Sequence, residues 1–239
     1  MEIESREVGI NASGGTMPAF LCVPKAHGRF PAVLVLMEAF GLTSHIQDVT
    51  ARIAKEGYVA IVPDLYYRDL PNNKFDYDQV PEGIAMMRRL NHQSVLADIR
   101  ATLAHLRSMA EVVPSRVGVT GFCMGSGFTF LTACELSAEI AAAAPFYGMV
   151  RDEWIEAVKQ ISVPAYLFFG EADPFIPRER VQQIEARFRE LGKSYRIKVY
   201  SGADQGFFCH ERSSYNQAAA QASWSELTAF FTQHLQRAV

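Results

Sequence analysis

Cysteines are few and widely spaced in this sequence. The 239 residues include four of them, Cys22, Cys123, Cys134 and Cys209, and no two form a CxxC pair. Such spacing argues against a disulfide framework and against a zinc site, and it is typical of reduced thiols in the cytoplasm. We therefore expect no metal site and a cytoplasmic location.

Long apolar runs and clusters of positive charge are missing too. The longest apolar stretch, residues 140–150, is about half as long as a helix that crosses a bilayer. Residues 1–7 alternate charged and apolar side chains and lack the apolar segment of a secretory signal. The formal net charge is −3, and no basic stripe is present. The sequence thus predicts no membrane partner and no nucleic-acid partner.

Short β-forming runs alternate with longer helical patterns along the chain. With 49% hydrophobic and 21% charged residues the composition is that of a globular protein, and we expect one domain over residues 1–239, as a monomer or weak homodimer. The patterns predict strands at 16–23, 32–37, 59–62, 117–120, 140–145, 165–169 and 196–200, and helices at 43–57, 94–109, 124–137, 178–191 and 216–236. Residues 66–80 are polar and predict a long loop. This alternation predicts an α/β fold with a mostly parallel sheet and helices on both faces.

The most informative motif is Gly121-Phe122-Cys123-Met124-Gly125, which directly follows a predicted strand and precedes a predicted helix. It matches the G-x-S-x-G nucleophile elbow with cysteine in the central place. At such a turn the nucleophile projects above the sheet beside a helix N-terminus, which favours thiolate over thiol. The alternative is that Cys123 is a small buried side chain and that the glycines mark an ordinary tight turn. Cys209, in a predicted loop, is a candidate for a second exposed thiol.

Three further polar side chains follow predicted strands. Glu38, Tyr147 and Asp173 each come just after a buried run, so they are expected to meet Cys123 at the carboxyl edge of the sheet. Burial there should raise the pKa of Glu38. Asp173 stands where a triad acid would orient a histidine. The alternatives are that Asp173 only forms a turn before Pro174 and that Glu38 only bonds local backbone N–H groups.

Several segments, in order, resemble the dienelactone hydrolase family. They are the elbow and residues 37–42, 62–66, 145–148, 170–173 and 212–234. The resemblance implies an α/β-hydrolase fold and Cys123 as nucleophile. It also implies that Glu38 holds the resting thiol and helps to deprotonate it when substrate arrives. The fold implies an oxyanion hole made by the backbone N–H groups of Met124 and Ala39.

One position departs from the family pattern. The family's histidine base lies in a Gly-Ala-x-His-Gly-Phe segment, and here residues 202–207 place Gln205 at that position. Glutamine has no proton to exchange near neutral pH, so it cannot act as a general base. Gln205 fits a deliberate replacement, a slow or differently wired hydrolase, or a non-catalytic relative. His210 in the same loop is an alternative base, and His45 is expected near the rim of the site.

Aromatic and arginine side chains near the predicted strand ends suggest a substrate pocket. The candidates for substrate contact are Phe40, Tyr147, Phe175, Phe207 and Arg212, with Arg68, Arg88 and Arg89 as further arginines. Core packing is the alternative for Phe207, and an ordinary surface position is the alternative for the arginines.

The leading functional hypothesis is a hydrolase of small esters or lactones that uses covalent cysteine catalysis and no cofactor. A second hypothesis is a ligand-binding or sensor protein that keeps the pocket but has lost turnover through Gln205. A third and weaker one makes Cys123 a redox-sensing thiol, although that role explains neither Glu38 nor Asp173.

Overall fold

Eight strands form one sheet in the computed structural model of the chain, which describes residues 1–69 and 74–236. The strands are β1 (Ile3–Ala12), β2 (Gly15–Pro24), β3 (Phe30–Leu36), β4 (Val59–Pro63), β5 (Val112–Phe122), β6 (Ala142–Phe146), β7 (Ala165–Gly170) and β8 (Tyr195–Tyr200). The α-helices are α1 (Ser44–Lys55), α2 (Val80–Arg89), α3 (His92–Ser108), α4 (Met124–Glu135), α5 (Asp152–Ala157), α6 (Arg178–Glu190) and α7 (Gln217–Phe231), and a π-helical turn (Thr232–Gln236) follows α7.

The strand order is β1-β2-β4-β3-β5-β6-β7-β8. Strands β3 to β8 run parallel, whereas β2 pairs antiparallel with both β1 and β4. Strands β3, β4 and β6 contain only apolar side chains, and β4 and β6 are buried along their whole length, as strands covered on both faces should be. The carboxyl ends of six parallel strands therefore lie along one edge of the sheet, where α/β proteins bind their ligands.

Helices cover both faces of this sheet. Gly118 and Gly121 are three residues apart in β5, so they face opposite sides. A Cβ atom at Gly118 would press on Phe231 and Leu235 at the C-terminal end of the chain, whereas one at Gly121 would overlap the Gly125 carbonyl of α4. The predicted α/β-hydrolase fold, with a mostly parallel sheet and helices on both faces, is confirmed.

Three elements escape the sequence patterns. Strand β1 is largely exposed and lacks the buried alternate positions that mark a strand. Helix α2 starts inside the stretch read as a loop at 66–80, with a proline in its first turn and no side-chain cap; residues 70–73 of that stretch lie outside the described part of the chain. Helix α5 is only six residues long, too short for a helical period to be recognised. None of the helices in the described ranges is long and apolar enough to cross a membrane.

Candidate active site

Cys123 lies in a strained turn between β5 and α4. Its backbone has φ 53° and ψ −114°, in a region that side-chain-bearing residues rarely adopt. The turn is fixed by hydrogen bonds: the Cys123 N–H donates to the Phe146 carbonyl at 3.1 Å, and the Cys123 carbonyl accepts from Ser126 N at 3.1 Å. The cysteine is thus held at the carboxyl edge of the sheet and at the first turn of a helix.

Gly125, two residues after the cysteine, lies where the backbone of α4 closely approaches the backbone of β3. A Cβ atom at Gly125 would overlap the carbonyl group of Leu36 at the end of β3. Because the helix start can therefore pack directly on β3, it brings Cys123 close to Glu38, two residues beyond the end of that strand.

The Cys123 side chain is a thiol at neutral pH. Burial, helped by the negative charge of Glu38, raises its pKa to about 11. A hydrogen bond from the Gln205 side chain, the Arg212 charge and the Met124 N–H act in the opposite direction but do not offset burial. The helix start therefore does not by itself make the resting side chain a thiolate, because desolvation exceeds the effect of the helix dipole. A neutral thiol is also poorly suited to redox sensing.

Glu38 is completely buried and lies beside two polar partners. Its Oε1 accepts a long hydrogen bond from the Tyr147 hydroxyl at 3.5 Å and lies 3.8 Å from Arg212 Nη1. Its Oε2 has no partner among the described residues. Burial raises the pKa of Glu38 to about 7, since Arg212 and Tyr147 only partly oppose desolvation. Near neutral pH the carboxyl group is thus present in both protonation states.

Asp173 and Gln205 lie beyond the ends of β7 and β8. Asp173 Oδ1 accepts from Phe175 N at 2.8 Å, while its buried Oδ2 has no hydrogen-bond partner within the described ranges. Burial raises the pKa of Asp173 to about 6. Gln205 is 8% exposed, its side chain hydrogen-bonds to Cys123, and its Oε1 has no described partner either. The two orphaned oxygens are both acceptors, so glutamine leaves Asp173 without the donor that a histidine would supply.

No other histidine takes over the position of Gln205 in the described part of the chain. His210 is exposed, lies 5.5 Å from the His45 ring, and lines a separate shallow pocket with Arg52 and Trp224. His45 is fully buried rather than near the rim, and neither of its ring nitrogens has a described partner. Cys209 is also fully buried, so the expected second exposed thiol is absent there.

The backbone N–H groups of Met124 and Ala39 are the ones expected to form an oxyanion hole. The Met124 N–H already interacts with Cys123, and the Ala39 N–H donates no hydrogen bond to any described residue. Both residues are fixed by the buried Tyr66, whose hydroxyl donates to the Ala39 carbonyl at 2.9 Å and lies 3.4 Å from Met124 Sδ. The sequence patterns did not reveal this contact, because Tyr66 lies 27 positions after Ala39 in the chain.

A cavity of about 360 Å³ opens onto Cys123. Four of the residues expected to contact substrate line it: Phe40, Tyr147, Phe175 and Arg212. Phe207 is not among the lining residues; it is fully buried, with its ring 5.1 Å from that of Tyr147. Of the three further arginines, only Arg88 lines the cavity. Arg68 forms an ion pair with Asp98, and Arg89 forms one with Asp69.

The sequence profile of the dienelactone hydrolase family matches residues 17–235. The chain belongs to the dienelactone hydrolase family. A relative from Synechocystis sp., assigned as a carboxymethylenebutenolidase, is 37% identical over 98% of this chain and 99% of its own length. A relative from Bradyrhizobium sp., assigned as a 2-oxo-3-(5-oxofuran-2-ylidene)propanoate lactonase, is 29% identical over 95% and 94%. The crystal structure of a protein from Klebsiella pneumoniae, assigned as a dienelactone hydrolase, superposes with a TM-score of 0.91 at 30% identity and covers 98% of this chain and 100% of that one.

Parts of the candidate site in this member of the dienelactone hydrolase family were not found from the sequence. Helices α2 and α5, which the patterns did not reveal, supply part of the cavity wall, including Ile84, Met87 and Trp154. His92, which nothing in the sequence tied to the site, lines the same cavity as Cys123. A group of three or more His, Cys, Asp or Glu side chains that could hold a metal ion does not occur within residues 1–69 and 74–236.

Proposed function

We propose that the chain cleaves small carboxylic esters or lactones through a covalent intermediate on Cys123, and that release of this intermediate is slow. The observation that carries the proposal is Cys123 itself: a thiol on a strained elbow that faces a cavity, with a buried carboxyl group of pKa about 7 beside it. The names of the relatives, which include a carboxymethylenebutenolidase and a lactonase, agree with this substrate class.

Acylation uses groups that are all present. The Glu38 carboxylate takes the thiol proton of Cys123 as the sulfur attacks the carbonyl carbon of the substrate. The carbonyl oxygen becomes an oxyanion between the N–H groups of Met124 and Ala39. When this intermediate collapses, the bond to the alcohol breaks and the leaving oxygen takes a proton from Glu38. The result is an acyl-thioester and a free alcohol, or, for a lactone, a ring-opened acyl chain that stays attached.

Deacylation is the step whose rate is lowered by Gln205. A water molecule must be deprotonated as it attacks the thioester, and Gln205 stands where a base would be. Loss of a positioned base slows such a step by about 10²–10⁴-fold. We therefore expect the acyl-enzyme to accumulate.

The alternative, a binding protein without turnover, is favoured by the same Gln205 and its orphaned oxygen. It predicts that a lactone or ester binds in the cavity and leaves unchanged. The two functions can be distinguished by a covalent bond to Cys123, because only the hydrolase forms a thioester.

Intact-protein mass spectrometry after mixing with p-nitrophenyl acetate separates them. We expect one acetyl group on the unaltered chain and none on Cys123→Ala. Cys22→Ala is the matched control, since Cys22 is buried in β2, away from the cavity, and it should acylate normally. A folded chain that never acylates would refute the hydrolase and leave the binding protein.

A further inference from the structure

The cavity at Cys123 continues to a group of aromatic rings that the proposed reaction does not use. We call His92, Phe128 and Trp154 the distal aromatic cluster. Their rings contact one another, with centroid distances of 5.7 Å between His92 and Phe128, 5.3 Å between His92 and Trp154, and 6.5 Å between Phe128 and Trp154. All three line the cavity that opens onto the thiol.

Two rings of the cluster form a buried part of the cavity wall, and His92 beside them is partly exposed. Phe128 and Trp154 are 4% and 8% exposed, and Trp154 can lie close against α4 because Gly127 has no side chain; a Cβ atom there would be 3.2 Å from the indole ring. His92 contributes an uncharged ring, since burial and the charge of Arg151 lower its pKa. The cluster is thus aromatic, and the Arg151 guanidinium lies over the Trp154 ring, 5.4 Å from its centroid.

The mouth of the cavity is apolar as well. Val80, Met149 and Phe175 are 38%, 57% and 54% exposed, and all three line this cavity. Single exposed apolar side chains are ordinary, but three around one opening form a patch of the kind that marks a binding site. No acidic side chain is among the residues that line the cavity in the described chain. Three arginines, Arg88, Arg151 and Arg212, line it as well. The walls therefore suit an aromatic or other apolar group, and they favour negative over positive charge on a ligand.

We propose that the natural substrate carries an aromatic ring on its acyl group and that this ring occupies the distal aromatic cluster. This inference rests on the proposed function. The acyl side is chosen because the alcohol must leave through the mouth, whereas the acyl group stays attached to Cys123 and can keep the inner position. A volume of about 360 Å³ suits a ring and a short tether, since small-ligand pockets span about 300–1,000 Å³.

The test compares acylation by p-nitrophenyl acetate and by p-nitrophenyl 4-phenylbutyrate, which share a leaving group. Stopped-flow rates of nitrophenolate release are each divided by the rate of the same ester with a free small thiol. We expect the phenylbutyrate to be preferred by at least about 10-fold, the lower end of what one well-filled apolar pocket provides. Trp154→Ala should remove most of this preference.

Trp224→Ala is the matched control, because Trp224 is the other tryptophan of the chain and lies on α7, outside the cavity. It should leave the preference unchanged. Met149→Ser covers the case in which Trp154→Ala does not fold, since Met149 is exposed at the mouth; it should lower the preference by about threefold.

Each result is decisive. Equal normalised rates for the two esters on a chain that acylates would overturn the aromatic acyl group but leave the proposed hydrolase intact. If the preference for the phenylbutyrate survives in both Trp154→Ala and Met149→Ser, the ring of the substrate binds elsewhere and the proposal is overturned. If Trp154→Ala does not fold, survival of the preference in Met149→Ser alone has the same meaning. If neither ester acylates Cys123, the proposed function itself fails.

Discussion

Replacing Gln205 with histidine should restore the step that is slow in this chain. Gln205 is buried and its side chain hydrogen-bonds to Cys123. The buried Oδ2 of Asp173 accepts no hydrogen bond from any described residue. A histidine at this position can donate from Nδ1 to Asp173 and turn Nε2 toward the thioester, which is the arrangement of a catalytic triad. The raised pKa of Asp173, about 6, should fall once a positive charge can form beside it.

The expected gain in rate differs between the two steps, because only one of them lacks a base. A positioned general base is worth about 10²–10⁴-fold in rate, or about 3–5 kcal/mol of barrier. Deacylation should gain the whole of this, because Gln205 offers water no base. Acylation should gain much less, because Glu38, with a pKa of about 7, already serves the thiol at neutral pH.

Steady-state release of nitrophenolate from p-nitrophenyl acetate, followed with intact-mass measurement of the acyl-enzyme, checks this. Gln205→His should raise kcat by about 10²-fold or more and deplete the acetylated chain. Adding Asp173→Asn to that variant should remove most of the gain. An unchanged kcat in folded Gln205→His would refute the assignment of position 205 to the base.

Three other substitutions follow from the contacts around Cys123. Glu38→Gln should abolish the rise in acylation rate through pH 7. It should also change how stability depends on pH. Because the pKa of Glu38 in the folded chain, about 7, exceeds the ordinary 4.5, the unaltered chain should lose stability on the order of 3 kcal/mol as pH rises from 4.5 past 7, and the variant should not, as urea unfolding at pH 5 and 8 would show. Tyr66→Phe removes the hydroxyl that fixes Ala39 and Met124, so kcat for acylation should fall about tenfold with KM little changed, less than the 10²–10³-fold of a lost oxyanion donor. Gly125→Ala forces a side chain into the Leu36 carbonyl and should destabilise the fold by about 3 kcal/mol, seen as a lower Tm.

The sequence was most informative where chemistry and backbone demand the same residues. The elbow at Cys123 needs glycine at 121 and 125 for backbone contact. The strand residues directly before it, 117–122, are all buried because both faces of the sheet are covered there. Glu38, Asp173 and Gln205 follow strands that run in one direction, so a parallel sheet brings them to one edge.

The walls of the cavity could not be predicted in the same way. Helix α2 depends on tertiary contact more than on helix propensity: its Gly83 lies against the Ala39 carbonyl, where a Cβ atom would be 3.1 Å away. His92 gives no local signal, because its neighbours Phe128 and Trp154 are distant in sequence. The raised pKa of Cys123 could not be predicted either, since desolvation depends on side chains that only the folded chain brings together.

The most direct test of a thiol nucleophile without a histidine base is one stopped-flow experiment on the unaltered chain with p-nitrophenyl acetate. We predict a burst of nitrophenolate equal to the concentration of chains, followed by turnover that is slower by about 10²-fold or more. A linear trace without a burst from a folded chain, or a full burst from Cys123→Ala, would contradict it.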